Sequence, residues 1–467
     1  MRTLNFLDRR LLSLGLFQTW LFIVFHSSLI ISFESNIYSY VYSTTLLAAI
    51  VTLVVTAFIP YHRRTRILFL AIGTVLAVVG TCGIYFFPFG NLGFALYSIC
   101  LGVGTGSFIP FVGKIFSSAT LQTAARQTFL SFGLAVALYF LILGLPEIVG
   151  VLLATLLPIG LMAVILSIVL FGQQAVRSSM TGQEHDKVRE ILKSRPVIGF
   201  FLGVALLGAA FGFSMAFCSH FGSDTFSFAN LWAVLLTGIL SAVYFVFIRS
   251  PKWTFDFQKH FSPITPIIVI GLLLLAYSPA VSSVLIIAGF QLADIIIWVV
   301  FCWIAGHSGL PQRVFCIGKA AMYSGMLAGS FAGRIAATNP DLSSISTTVA
   351  TIVAYLLVIA IAFIFANSKV TLAIKTSSSD SDMNYIVKAI ELRCEELGQK
   401  YGLTMREKEV FAFLMQGRSL PYIERVMHIS HGTANSHRDH IYSKINVHSK
   451  QELLDLFLGQ GQNPANK

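Results

Sequence analysis

The segment from Ile429 to Leu453, ISHGTANSHRDHIYSKINVHSKQEL, carries the side chains best suited to binding a polar partner. Its Ser, Thr, Asn, His and Arg residues recur at helical spacing, so one helix can present hydroxyl, amide and cationic groups together. Amides and carboxylates can hydrogen-bond to base edges in the DNA major groove, and cations can contact phosphates. Almost everything before residue 367 is apolar, so the polar segment stands out from the chain that carries it.

A second candidate site lies within the apolar run AGFQLADIIIWVVFCW, which contains the carboxylate of Asp294. An ionisable side chain inside a membrane helix is costly, and it marks a functional site by default. Gln291 lies one turn before Asp294 and Trp298 one turn after it, so the three share a helix face. They predict a cavity for a small polar or aromatic ligand; the alternative is a buried carboxylate bonded to a neighbouring helix. We expect Lys319 to extend to the cytoplasmic surface rather than to pair with Asp294.

The composition excludes an ordinary soluble protein. The chain has 467 residues, of which 55% are hydrophobic and 11% are charged, whereas a soluble domain carries about 25% charged residues. The net charge is +11, yet residues 367–467 hold 13 Lys and Arg against 11 Asp and Glu. Since the tail is nearly neutral, any nucleic-acid binding must come from the local placement of charge.

About twelve apolar runs approach the roughly 20 residues needed to cross a bilayer. They lie near residues 11–33, 38–59, 67–88, 92–113, 128–146, 148–171, 197–219, 228–248, 264–280, 282–306, 314–336 and 345–366. Lys and Arg collect in alternate loops, and such residues are retained in the cytoplasm. We therefore expect a multi-pass protein of the inner (cytoplasmic) membrane with both termini in the cytoplasm.

The longest loop between spans, residues 173–195, divides them six and six, and the layout resembles the major facilitator superfamily. The basic loop HRRTR after the second span has a looser counterpart, RSPKW, after the eighth. The resemblance implies an all-α membrane bundle over residues 1–366. The family's loop after the second span normally carries a Gly and an Asp that AFIPYHRRTR lacks, which favours a sensor or anchor over a working transporter. We expect GVGTG, residues 102–106, to serve close helix packing.

Capping signals divide residues 403–467 into four short helices. Thr404 and Glu407 form a capping box at the start of the first, and Ser430 caps the third. The second and third, joined at HIS, make a helix-turn-helix. Residues 367–402 are predicted to be a linker that ends in an amphipathic helix.

The stretch LTMREKEVFAFLMQGRS, followed by ISHGTANSHRDHIYSKINVHSKQELL, resembles the LuxR/FixJ-type DNA-binding domain over the whole terminal region. The resemblance implies double-stranded DNA as the partner and a homodimer on it. The residues implied to face base edges are Asn435, Ser436 and Asp439. Those implied to contact phosphates are Thr433, His437, Arg438 and Lys444. Those implied to form the dimer contact, on the fourth helix, are Leu453, Leu456 and Phe457.

Together these features predict a membrane-tethered transcription regulator, in which a small-molecule-sensing membrane domain controls a DNA-binding tail. The alternative is a secondary transporter with a regulatory DNA-binding tail. RNA polymerase is a further expected partner. The sequence offers no recognisable nucleophile–base pair, metal cluster or Walker loop, so we expect neither an enzyme nor a cofactor or metal site.

Overall fold

Helices make up all of the regular secondary structure in the described part of the computed structural model. It describes residues 9–31, 35–58, 63–87, 90–171, 195–219, 222–248, 255, 257–274, 277–308, 310–338, 354–355, 357–359, 361–362, 394–395, 397–399, 401–415, 419–447, 449 and 452–453. The chain divides into two units, Met1–Lys375 and Thr376–Lys467, each with its own apolar core. The division falls inside the predicted linker.

Twelve helices of the first unit are described. Those before the long loop are α1 (Arg9–His26), α2 (Ser35–Phe58), α3 (Arg63–Phe86), α4 (Gly90–Ser117), α5 (Leu121–Leu143) and α6 (Glu147–Phe171). Those after it are α7 (Arg195–Cys218), α8 (Ser223–Ile248), α9 (Phe257–Phe261), α10 (Ile264–Leu273), α11 (Pro279–Ser308) and α12 (Pro311–Thr338).

The count of about twelve spans is matched in part. Among the described residues, nine helices are long and apolar enough to cross a membrane, and two further apolar segments, Arg10–His26 and Lys259–Leu273, are shorter. These correspond to eleven of the predicted spans. Of the twelfth, 345–366, the structure describes seven residues, 354–355, 357–359 and 361–362, which are all helical; the rest lie outside the described residues.

The two short segments end earlier than predicted, and hydrogen bonds close a turn after each of them. Helix α1 ends at His26, where the Ser27 hydroxyl donates to the carbonyl of Ile23 at 2.5 Å and accepts from the amide of Leu29 at 3.4 Å. Helix α10 is followed by a turn in which the Leu274 carbonyl accepts the amide of Ser278 at 2.8 Å.

Glycines allow helix backbones to approach closely at two places. Between α7 and α12, a Cβ added at Gly212 would overlap the carbonyl of Met326, and one at Gly329 would overlap the carbonyl of Ala209. Between α2 and α4, Gly102 faces the carbonyl of Thr45 in the same way. The packing role predicted for GVGTG is therefore confirmed. Helices α2 and α12, and helices α5 and α8, join the two halves of the unit.

The second unit contains α13 (Met405–Met415), α14 (Leu420–Met427) and α15 (His431–Ile445), followed by the helical residues Glu452 and Leu453. Its core is built from side chains with no exposed surface: Val410, Phe411, Ile423, Ile441 and Leu453.

Helices α14 and α15 are joined by a left-handed residue, since His428 has a φ of 52°. The next amide, of Ile429, donates to the carbonyl of Glu424 at 3.1 Å and closes the end of α14. The turn holds the two helices as a helix-turn-helix. Leu397, from the end of the predicted linker, is also buried in this core.

Candidate functional site

Asp294 on α11 pairs with Lys319 on α12, and the Lys319 ammonium donates directly to the Asp294 carboxylate. The expectation that Lys319 extends to the surface is wrong, because Lys319 is buried and only 3% of its surface is exposed. Its Nζ also lies 3.9 Å from the Met322 sulfur and 5.4 Å from the Trp298 ring centroid. Each charge supplies the counter-ion that the other needs away from water.

Gln291 lies in a chain of polar groups that joins the two halves. Its Oε1 is 2.6 Å from the Thr237 hydroxyl of α8, and its Nε2 is 3.4 Å from Nε2 of His26 on α1. On its other side the His26 ring holds Asn230 of α8, with Nδ1 2.6 Å from Oδ1. This chain of polar side chains therefore connects α1 to α8 and α11 across the middle of the bundle.

A cavity of about 130 Å³ lies between the halves, and both Gln291 and Asp294 line it. Its wall is mostly aromatic and methionine side chains, with the polar residues Gln18, Thr45 and Thr105 among them. An apolar cavity of about 150 Å³ accepts a benzene-sized ligand, so this space fits a molecule of about one ring. Within the described residues, the buried hydroxyls of Tyr42 and Thr45, two wall residues one turn apart on α2, have no hydrogen-bond partner.

Trp298, the third residue of the predicted trio, does not line the cavity. Its side chain has no exposed surface and packs edge-on against Phe116, with ring centroids 6.3 Å apart, and against Phe315 at 4.8 Å. It lies one turn beyond the cavity because the helix continues into the packed core. It contacts Lys319 instead of the cavity, with the Lys319 Nζ 5.4 Å from its ring centroid.

In the second unit, helix α15 presents the residues predicted to bind DNA. Ser430 caps it as predicted, its hydroxyl accepting the Thr433 amide at 3.1 Å. Ala434, Ile441 and Ile445 form the buried side. Among the predicted contacts, those that are exposed are Thr433, Ser436, Asp439 and Lys444, and those that are half-buried are Asn435, His437 and Arg438.

Four basic side chains of α15 lie against carboxylates, and one of them is His440, whose Nδ1 lies 3.8 Å from Glu407. Arg438 donates from Nε at 2.9 Å and from Nη2 at 2.7 Å to the same oxygen of Asp439. Lys444 Nζ lies 2.6 Å from Glu407 of α13. His431 Nδ1 lies 2.6 Å from Glu424 of α14. The helix thus offers DNA less free positive charge than its sequence suggests.

Lys444 makes structural contacts within the domain, and its predicted phosphate contact stays a prediction. Besides Glu407, its ammonium donates to the carbonyl of Gly402 at 3.3 Å, so it holds α15 against the start of α13. Glu407 also completes the predicted capping box, since its carboxylate accepts the Thr404 amide at 2.7 Å. Burial by itself would raise the pKa of Glu407, but the hydrogen bonds from Lys444 and Thr404 outweigh it and lower the pKa to about 2.

Among the predicted dimer residues, Leu453 is buried in the core of its own unit. A side chain with no exposed surface cannot supply a contact area to a second copy, so Leu453 stabilises the domain instead. Leu456 and Phe457 lie outside the described residues, and their role stays a prediction.

Sequence reasoning missed Glu407 and His26 as site residues. Glu407 was recognised as a cap, but its second partner, Lys444, is 37 residues away. His26 is not among the predicted site residues. No signal in the sequence shows that α1 and α11 meet, although a polar side chain on each of two membrane helices is the pattern that invites such a pair.

Comparison with known proteins finds similarities for both units. Residues 402–457 match the family described as bacterial regulatory proteins, luxR family. A proposed HTH-type transcriptional regulator in the exeN 3′ region of Aeromonas salmonicida is 34% identical over 82 residues, which are 18% of this chain and 41% of the relative. The uncharacterized response regulatory protein YgeK of Escherichia coli (strain K12) is 30% identical over 77 residues, 16% of this chain and 52% of the relative. The chain spans about half the length, or less, of these curated relatives.

The second unit is a LuxR-type helix-turn-helix domain. The first unit is similar in fold to major facilitator transporters. The FucP structure in the outward conformation aligns with a TM-score of 0.50 at 12% identity, covering 77% of this chain and 98% of FucP. An outward-facing bacterial homologue of ferroportin aligns at 0.51 and 15% identity, with coverages of 77% and 97%. The predicted all-α, major-facilitator-like class is therefore confirmed, and at these identities the likeness concerns the fold alone.

Removing one member of the buried ion pair should destabilise the membrane unit. Asp294→Asn leaves the Lys319 ammonium without its carboxylate, a change that costs about 3–5 kcal/mol for a buried pair. We expect a lower thermal midpoint for the full-length protein in detergent, followed by tryptophan fluorescence. The double variant Asp294→Asn/Lys319→Met should recover most of the loss, and Asp224→Asn, at an exposed carboxylate, should change little. An unchanged midpoint for Asp294→Asn would contradict the pair.

The LuxR-type domain should lose stability in acid through Glu407. Because the folded pKa is about 2 and the ordinary value about 4.3, its contribution is complete above pH 5 and disappears as pH falls towards 2. We expect Glu407→Gln to cost about 2 kcal/mol at pH 7 and about half of that at pH 3, in urea unfolding of residues 376–467. Glu409→Gln, which removes an exposed carboxylate paired with Arg406, should cost under about 0.5 kcal/mol. Equal losses for Glu407→Gln at both pH values would argue against this assignment.

Proposed function

We propose that the protein is a membrane-tethered transcription regulator, which binds DNA through its LuxR-type domain under the control of a ligand in the membrane unit. The observation that carries the proposal is the joining of this helix-turn-helix, with α15 exposed, to a bundle of major facilitator fold. The regulator names of the two relatives support the DNA-binding half. Lys and Arg in alternate loops support an inner-membrane location with both termini in the cytoplasm, where the domain can meet the chromosome.

The domain is proposed to bind as a homodimer to two half-sites about one helical turn apart. Since Leu453 belongs to the domain core, Leu456 and Phe457 are the proposed candidates for the pairing surface. RNA polymerase is the proposed partner of the bound dimer.

The ligand is proposed to lie in the cavity between the halves. Gln291 and Asp294 on its wall belong to two polar networks that hold α11 against neighbouring helices. A molecule that bonds there more strongly in one arrangement of the halves than in the other would shift their equilibrium. A coupling of about 1–3 kcal/mol would give roughly 5–150-fold control of DNA binding.

A second candidate function is secondary transport with a regulatory tail, and the cavity between two halves of transporter fold favours it. The absence of the Gly and Asp from the loop AFIPYHRRTR favours the regulator. Uptake of a ligand by sealed vesicles that contain the protein in their membrane would show transport.

Asn435 should carry sequence specificity. Its amide can pair with adenine, and the loss of such a contact costs about 1–3 kcal/mol at one base position. We expect genome-wide mapping of bound DNA to return a defined paired site for the wild-type protein, and Asn435→Ala to lose the preference at one position of each half-site. Ser443→Ala, on the same helix outside the predicted contacts, should leave the site unchanged. If the wild-type protein enriches no sequence, the proposed function is wrong.

Tyr42 should contribute to the response to a ligand. Its buried hydroxyl on the cavity wall has no partner among the described residues, so a ligand that bonds to it would gain about 0.5–1.5 kcal/mol. For a compound that changes the DNA occupancy of the wild-type protein, Tyr42→Phe should raise the half-effective dose about three- to tenfold. Tyr277→Phe, at a tyrosine that is 87% exposed, serves as the control. The same dose for Tyr42→Phe and wild type would place the ligand elsewhere.

A further inference from the structure

The pairing of Arg438 with its neighbour Asp439 bears on how the LuxR-type domain separates its operator from other DNA. Arg438 directs two N–H groups, at 2.9 Å and 2.7 Å, to one carboxylate oxygen of Asp439. The Arg438 side chain is 33% exposed and that of Asp439 is 62% exposed. The carboxylate therefore stands on the outer face of α15, and the guanidinium lies beside it.

Other basic side chains of α15 are held by carboxylates of neighbouring helices, so the charge of Arg438 matters most for the attraction to DNA. Lys444 holds Glu407 and the Gly402 carbonyl, and His431 lies against Glu424. The permanent cations of described α15 are Arg438 and Lys444. Lys444 pairs with a carboxylate of another helix, whereas the carboxylate that Arg438 contacts among the described residues is the exposed Asp439 of the same helix. Attraction to any DNA sequence comes from cations that displace counterions from phosphates. An arginine that is neutralised by its neighbour contributes little to that attraction.

We propose that Asp439 is a specificity-determining residue, which withholds Arg438 from phosphates on non-operator DNA and releases it where a cytosine amino group takes the carboxylate. An exposed ion pair is worth only about 0–1 kcal/mol, so a hydrogen bond from cytosine N4 to the carboxylate can replace it. Arg438 then becomes free to contact a phosphate. The correct base thus gains two contacts, and a wrong base gains neither. This inference rests on the proposed DNA-binding function.

The test compares the full-length protein in lipid nanodiscs with Asp439→Asn, Arg438→Gln and the double variant. Binding is measured against the mapped operator and against a random-sequence duplex of equal length, over a range of salt concentrations. Freeing one cation should steepen the salt dependence on random DNA by about one unit. At about 0.15 M salt this corresponds to roughly fivefold tighter binding of Asp439→Asn. Operator binding should not gain in proportion, so the ratio of operator to random affinity should fall.

The double variant distinguishes two ways in which Asp439 could weaken binding to random DNA: by pairing with Arg438, or by repelling the phosphates directly. If Asp439 acts by holding Arg438, most of the gain on random DNA should vanish when Asp439→Asn is made in the Arg438→Gln background. Arg438→Gln alone should weaken operator binding and leave random binding nearly unchanged. Glu409→Gln is the matched control, because it removes one exposed carboxylate from an arginine pair, Arg406–Glu409 at 2.8 Å, on a different helix.

Three results would overturn the inference: no tightening by Asp439→Asn, an equal gain in both Arg438 backgrounds, or the same gain from Glu409→Gln. Circular dichroism melting of each variant checks that the domain is folded. If the wild-type protein binds neither duplex, the proposed function has failed. If the wild-type protein prefers its operator and Asp439→Asn changes nothing, only the role of Asp439 has failed.

Discussion

Lipid offers no hydrogen-bonding partner, so a polar group inside the membrane unit must find one within the chain or in an enclosed cavity. Asp294 and Lys319 satisfy each other, and Gln291, His26 and Asn230 form a continuous chain. Because each contact joins different helices, breaking one would leave a polar group stranded in an apolar interior. These few contacts therefore fix how α1, α8, α11 and α12 face one another, and they surround the cavity that they create.

Helix α12 is subject to a second constraint of a different kind. Helices in lipid gain little from the hydrophobic effect and associate through close packing of small residues. Gly212 of α7 and Gly329 of α12 bring the two backbones so near that a methyl group would overlap a carbonyl oxygen. The same α12 carries Lys319 to the cavity and packs on α2 of the other half. If α12 shifts, α7 should therefore move with it as one body. The cavity wall and the junction between the halves would then change together.

The sequence predicted the elements that local rules determine and missed contacts between distant residues. Apolar length located the long spans, and caps at Thr404 and Ser430 placed the starts of α13 and α15. The pairing of Lys319 with Asp294 was judged wrongly because snorkelling depends on where a helix lies relative to the surface, which periodicity does not define. The contact between Lys444 and Glu407 could not be predicted either, because the two residues are 37 positions apart and meet only after folding. Trp298 lies on the predicted helix face but beyond the end of the cavity.

Neutralised charge on a recognition helix has a consequence for a protein held in a bilayer. Tethering raises the local concentration of domains, so even weak pairing between two of them becomes effective. A domain strongly attracted to any phosphate backbone would then be occupied by non-operator DNA near the membrane, because non-operator sites vastly outnumber operators. Carboxylates at Asp439, Glu407 and Glu424 oppose that attraction on α15. In the proposed function, affinity then comes from base contacts and from the pairing of two domains, and a ligand-dependent change in the membrane unit controls both.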